Sequence, residues 1–132
     1  DMEQQANVTF DFPVVADPDK KVANLFDLIN EEVGLTVRGV FFIDPKGVLR
    51  FAAYYPIPFG RNIDELLRSF QALQTVDQFG VACPVNWQPG GDVIVPAPQT
   101  LEAAKSRDGQ ASRWYLWQRS LKEIAAERGK QT

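Results

Sequence analysis

The chain has 132 residues, 45% of them apolar, with a formal net charge of −3, one cysteine and no histidine, which is the length of one ordinary domain with enough apolar surface for a core. Its charges are interspersed rather than blocked, which argues against a nucleic-acid or anionic-membrane surface; one cysteine excludes an internal disulfide framework, and the lack of histidine removes sequence-evident zinc sites and Ser-His-Asp triads while leaving thiol chemistry open. No apolar run approaches the about 18 residues that a membrane span needs, and the expectation is a soluble, cytoplasmic protein.

In chain order, Phe12 to Ala16 form a short apolar run closed by Asp17-Pro18, which reads as a buried strand because the residue before proline resists helical geometry. Val22, Leu25, Phe26 and Ile29 follow at i, i+3, i+4 and i+7, the stripe of an amphipathic helix on a sheet, with Gly34 as its stop. Residues 36–44, TVRGVFFID, are apolar on both faces except for Arg38, as in a central strand covered on two sides. Asp44-Pro45-Lys46-Gly47 has the residues of a type I turn, and residues 48–55 run back as the second strand of a hairpin. Asn62 and Glu65 have the spacing of an N-cap and its N3 carboxylate, and Ile63, Leu66, Leu67, Phe70 and Leu73 give the stripe of a second helix.

The texture changes at Gly80. Residues 80–99 are rich in proline and glycine and lack a helical period, so this stretch is expected to leave the globule as an extended arm, the domain proper ending near Gln78. Within 112–128, Trp114, Trp117, Leu121 and Ile124 share one helical face, predicting a C-terminal amphipathic helix whose tryptophans either fold back on their own domain or dock on a neighbouring subunit. The order strand, helix, hairpin, helix, arm, helix suits the back half of a thioredoxin-like α/β sheet, and several other small α/β folds as well.

The segments ADPDKKVA (16–23), VRGVFFIDPKG (37–47), GRNIDELLR (60–68) and CPVNW (83–87), in that order, resemble the later part of a peroxiredoxin of the alkyl hydroperoxide reductase and thiol-specific antioxidant family. The resemblance is close over residues 8–98 and weak beyond about residue 100. It implies an α/β thioredoxin-like fold: residues 1–78 as a partial domain lacking its N-terminal part, and 79–132 as a C-terminal arm and dimerisation region. The tract VNWQPGGDVIVP (85–96) resembles the one-Cys branch, whereas the Gly-x-x-Cys-Pro-x-x-Trp spacing of residues 80–87 matches the surroundings of the resolving cysteine in two-Cys members. The family's peroxidatic cysteine sits in a Pro-x-x-x-Thr/Ser-x-x-Cys segment that this sequence does not contain. The expectation is a chain that lacks the family's first portion and is inactive alone.

By this resemblance Arg38 stabilises thiolate and peroxide. Arginine suits that work, because it stays charged and offers donors in a rigid fork; the bland alternative is an arginine at a strand end paired with a carboxylate. Arg61 matches a second, supporting arginine of the site, the alternative being a loop anchor beside a helix cap. Cys83 matches the resolving cysteine, which needs a reachable and movable setting to condense with a sulfenic acid; a lone cysteine is otherwise a small buried hydrophobe. The resemblance further implies peroxide as substrate, no metal or organic cofactor, a thioredoxin-like, glutaredoxin-like or flavoprotein reductant, and a homodimer or ring of dimers. The alternative function is a catalytically inactive, peroxiredoxin-derived fragment acting as an assembly or interaction chain. Tyr54, Tyr55 and Phe59 flank the loop before Arg61 and read equally as pocket wall, dimer contact or sheet packing.

Overall fold

The computed structural model describes residues 2–107 and 113–129. The chain divides into two compact units, Asp1–Gly60 and Arg61–Thr132. The helix grouped by sequence with the strands before it therefore clusters with the segments that follow it.

The first unit contains α1 (Met2–Ala6), α2 (Lys21–Leu25), the short strands β1 (Ile29–Asn30) and β2 (Leu35–Thr36), and the longer β3 (Arg38–Ile43) and β4 (Leu49–Tyr55). The buried strand expected at 12–16 is not formed: Phe12, Val14 and Val15 are 60%, 77% and 72% exposed. An extended apolar run is buried only when a ladder partner and a covering layer meet it, and among the described residues no strand pairs with this one.

Helix α2 is also shorter than its stripe. The Asp17 carboxylate caps it, accepting from the backbone N–H groups of Val22 (3.0 Å) and Ala23 (2.8 Å). It ends early because Asp27 adopts φ 53°, while Leu28 N donates to Ala23 O (2.8 Å) and Asp27 N to Asn24 O (3.1 Å). This is a Schellman ending with aspartate at the position glycine usually fills. Ala23 is buried, Leu25 is exposed and Ile29 belongs to β1, so the expected i to i+7 face is not one surface. Gly34, at φ 65°, turns the β1–β2 hairpin rather than stopping a helix.

The β3–β4 hairpin forms as the sequence predicts. Gly47 N donates to Asp44 O (2.9 Å), and the Asp44 carboxylate accepts from Lys46 N (2.9 Å) and Val48 N (3.0 Å). The strands pair from Arg38↔Tyr55 to Ile43↔Leu49, with an irregularity after Phe42. β3 is not central, since among the described residues it pairs with β4 alone. Phe42 and Phe51 stack across the ladder at 4.7 Å. Phe26, Phe41 and Tyr54 form a second aromatic group, at 4.5 and 5.5 Å, fastened by the Tyr54 hydroxyl donating to Phe26 O (3.1 Å). Gly39 makes room here, for a Cβ would stand 2.5 Å from Leu28 and 2.7 Å from the Phe41 ring.

The second unit contains α3 (Ile63–Phe79), β5 (Val93–Val95), α4 (Leu101–Lys105), β6 (Trp117–Arg119) and α5 (Leu121–Gly129). The expected N-cap is present, Asn62 Oδ1 accepting from Glu65 N (3.0 Å); Gly80, at φ 57°, closes the helix with its N–H on Val76 O. Of the predicted stripe, Leu66 is buried, while Ile63, Leu67 and Phe70 are exposed.

The expected arm folds back instead. Val81, Trp87 and Val93, at 6%, 4% and 0% exposure, join Ile124 (8%) as the core of this unit. A reciprocal backbone pair between Ala82 and Ile94 (2.8 Å each way) closes the loop. Proline and glycine here supply turns rather than reach: Trp87 N donates to Pro84 O (3.1 Å) and Gly91 N to Gln88 O (2.9 Å), with Asn86 at φ 58° and Gly90 at φ 84°. The predicted 112–128 helix is likewise shorter, and position 112 lies outside the described residues. Trp117 is in β6, paired with Val95, and Trp114 is in a turn, 58% exposed; of the four named residues only Leu121 and Ile124 lie on α5. No helix among the described residues is long and apolar enough to cross a membrane.

Candidate functional site

Cys83 sits one residue after the Ala82–Ile94 bridge, between the buried anchors Val81 and Trp87. Its thiol is half-buried and packs against the core cluster, with Sγ 3.7 Å from Ala72 O on α3. The sequence led to an expectation of a freely reachable thiol in an arm; the structure gives one held at the rim of a core. Burial pushes the Cys83 thiol up from its ordinary value, and the Arg68 guanidinium partly offsets this. Burial thus favours the neutral thiol over the thiolate.

Arg68 is the residue that sequence reasoning missed. It lies one helical turn after Glu65 on α3, a spacing visible in the sequence as an i, i+3 pair. Nε donates to Glu65 Oε2 (2.7 Å) and Nη2 to Glu65 Oε1 (2.8 Å), a two-pronged pairing. Nη1 crosses to the carbonyl of Trp87 (3.1 Å). The Arg68 hydrogen bonds, with one from the Ser69 hydroxyl (3.0 Å), bring the Glu65 carboxyl down to about 2. Glu65 thus serves Arg68 through its side chain and the N-cap through its backbone.

The other two predicted residues are placed differently. Arg38 opens β3 in the first unit, exposed and opposite Tyr55 in the ladder. Arg61 is exposed, immediately before the Asn62 cap. Tyr55, at the end of β4, and Phe59, in the loop that precedes Arg61, approach at 6.0 Å. On the surface of the second unit, Pro98, Gln99, Thr100, Leu101, Ala104, Lys105 and Trp114 line an open depression of about 430 Å³ that does not include Cys83.

Comparison with known proteins gives one family. Residues 2–52 match the AhpC/TSA family, and residues 72–109 match the C-terminal domain of 1-Cys peroxiredoxin. Peroxiredoxin 1 of Sulfuracidifex metallicus is 44% identical over 126 residues, covering 94% of this chain and 59% of the relative. Peroxiredoxin 2 of Thermoplasma acidophilum is 46% identical over 118 residues, covering 88% and 59%. The chain thus spans 59% of the length of these two curated relatives. Among solved structures, a yeast mitochondrial 1-Cys peroxiredoxin superposes with a TM-score of 0.74 at 38% identity, over 90% of this chain and 61% of that one. It was determined in work on the thiol-resolving mechanism of that protein via glutathione/thioredoxin systems. A reduced 2-Cys peroxiredoxin of Plasmodium vivax gives 0.58 at 26% identity, over 61% and 41%. The mixed helices and small sheets described above are accordingly those of a thioredoxin-like peroxiredoxin fold, and the chain belongs to the peroxiredoxin family.

Proposed function

We propose that the chain is part of a thiol peroxidase that reduces hydrogen peroxide and alkyl hydroperoxides, with Cys83 as its resolving cysteine. A peroxidatic thiolate outside this sequence attacks the peroxide, the O–O bond breaks, and water or an alcohol leaves as a sulfenic acid forms on the attacking sulfur. The Cys83 thiol then condenses with that sulfenic acid, forming an S–S bond and releasing water. A thioredoxin-type or other dithiol donor returns two electrons and two protons. Arg38 stabilises the charge that develops at sulfur and peroxide oxygen, and Arg61 supports the site. The condensation takes place between subunits of a homodimer, alone or within a ring of dimers, in the cytoplasm. The observation that carries this reading is the half-buried Cys83 thiol beside a helix-borne cation, in a chain of the peroxiredoxin family.

The test compares the chain alone with the chain preceded by a segment bearing a peroxidatic cysteine. Alone, with burial raising its sole thiol, the chain is expected to consume peroxide no faster than free cysteine in stopped-flow measurements. With the segment, peroxide is expected to give a disulfide-linked dimer on non-reducing gels. Cys83→Ser abolishes that band and donor-driven turnover while sparing the first reduction. Should the serine variant keep both cross-link and turnover, Cys83 is a bystander. Should the extended chain itself reduce no peroxide, the reading as a non-catalytic assembly chain takes its place.

A further inference from the structure

The sulfur of Cys83 is weakly held: among the described residues its hydrogen bond is a 3.7 Å contact to the Ala72 carbonyl. What restrains the residue is the loop that follows it. Trp87 anchors that loop with a ring 4% exposed, and its indole N–H donates to Gly91 O (3.2 Å). Trp87 N holds Pro84 O, on the residue next to Cys83, and Trp87 O takes the free prong of Arg68. Two hydrogen bonds therefore lead from α3 to the residue beside the thiol. The guanidinium cannot swing away from this contact easily, because its other two nitrogens are gripped by Glu65, and a planar fork fixed at two points has its third direction set.

We propose that Arg68 is a positioning residue for Cys83: clamped by Glu65, it latches the 84–91 loop to α3 at Trp87 O and so governs how readily Cys83 leaves its seat to meet a sulfenic acid. This rests on the reading of Cys83 as the resolving cysteine. The geometry gives Arg68 two opposed effects. As a latch it withholds the sulfur, and as a nearby cation it favours the thiolate. A lysine at this position keeps the second effect and loses the first, since one ammonium does not reproduce the fork that spans Glu65 and the Trp87 carbonyl.

The experiment uses the chain itself, in which Cys83 is the only thiol, so that the rate of reaction with the disulfide reagent 5,5′-dithiobis(2-nitrobenzoate) reports this residue alone. The rate is followed against pH; the alkaline plateau reads access to the ionised sulfur, and the midpoint reads its ionisation. Arg68→Lys is expected to raise the plateau about tenfold, as loss of a charge-assisted hydrogen bond implies, and to leave the midpoint near that of the parent. Arg68→Gln raises the plateau similarly and moves the midpoint upward. Glu65→Gln, which keeps the cation but loosens its clamp, raises the plateau less. Far-UV circular dichroism and urea midpoints accompany each variant. An unchanged plateau in both Arg68 variants overturns the proposal, as does a rise that merely tracks a lowered urea midpoint; if Arg68→Gln does not fold, Arg68→Lys and Glu65→Gln decide alone. The assay involves neither peroxide nor a peroxidatic cysteine, so failure of the latch and failure of the resolving role are separate results.

Discussion

Arg38→Lys, in the chain joined to a segment bearing a peroxidatic cysteine, is expected to slow the first reaction with peroxide by about 10²-fold, the scale of losing one preorganised donor where charge develops. Lysine retains the positive charge, so electrostatics of the site at long range changes little. What is lost is a planar group able to hold sulfur and peroxide oxygen at once. The fold tolerates the change, because Arg38 is exposed at the first position of β3 and its ladder pairing with Tyr55 is made by backbone. Stopped-flow kinetics at single turnover, with circular dichroism of the variant, gives the answer. A rate within twofold of the parent removes Arg38 from the chemistry and leaves it an exposed strand-end cation.

Trp87→Ala is expected to destabilise the second unit by about 3–5 kcal/mol, the cost of truncating a large buried aromatic. The cluster around it is small: Val81, Trp87, Val93 and Ile124 are its buried members. Removing the largest of them leaves a void that three aliphatic side chains and the partly buried Phe79, Cys83 and Leu121 cannot fill without moving. The indole hydrogen bond to Gly91 O is lost as well. Trp87→Phe keeps most of the ring volume and is expected to cost less than half as much. Urea unfolding followed by circular dichroism, at a pH well below the ionisation of Cys83, measures both. A loss under about 1 kcal/mol in the alanine variant would mean that the cluster is not what holds this unit together.

The elements legible in the sequence were those decided by a few adjacent residues. The turn Asp44 to Gly47 and the Asn62 cap rest on local hydrogen bonds that the residue types alone specify, and so the hairpin and α3 could be read directly. The misread elements depend on partners distant in sequence. Residues 12–16 have strand composition, yet composition supplies no ladder. Residues 80–99 have the composition of an exposed arm, but Trp87 and Val93 are buried by Val81 and by Ile124, far along the chain. Trp117 falls on a helical stripe with Ile124, and its backbone pairs instead with Val95. Asp27 ended α2 where a glycine would have announced the end. As candidate residues, Cys83, Arg38 and Arg61 were marked by residue type and resemblance. Arg68 escaped because its i, i+3 partner is ordinary for a surface helix, and its reach to the Trp87 carbonyl spans 19 residues.

The β3–β4 ribbon also bears on how this chain behaves in concentrated solution. Each strand has one ladder neighbour among the described residues. Ile43, Val48 and Leu49 stand exposed at the turn end of the ribbon. A two-stranded ribbon of this kind can act as a template: another extended chain laid along an edge that is accessible completes a ladder without disturbing the Asp44 turn. Crowding is therefore expected to favour edge-to-edge association of the ribbon, and a lysine introduced on β4 is expected to oppose it by bringing like charges together.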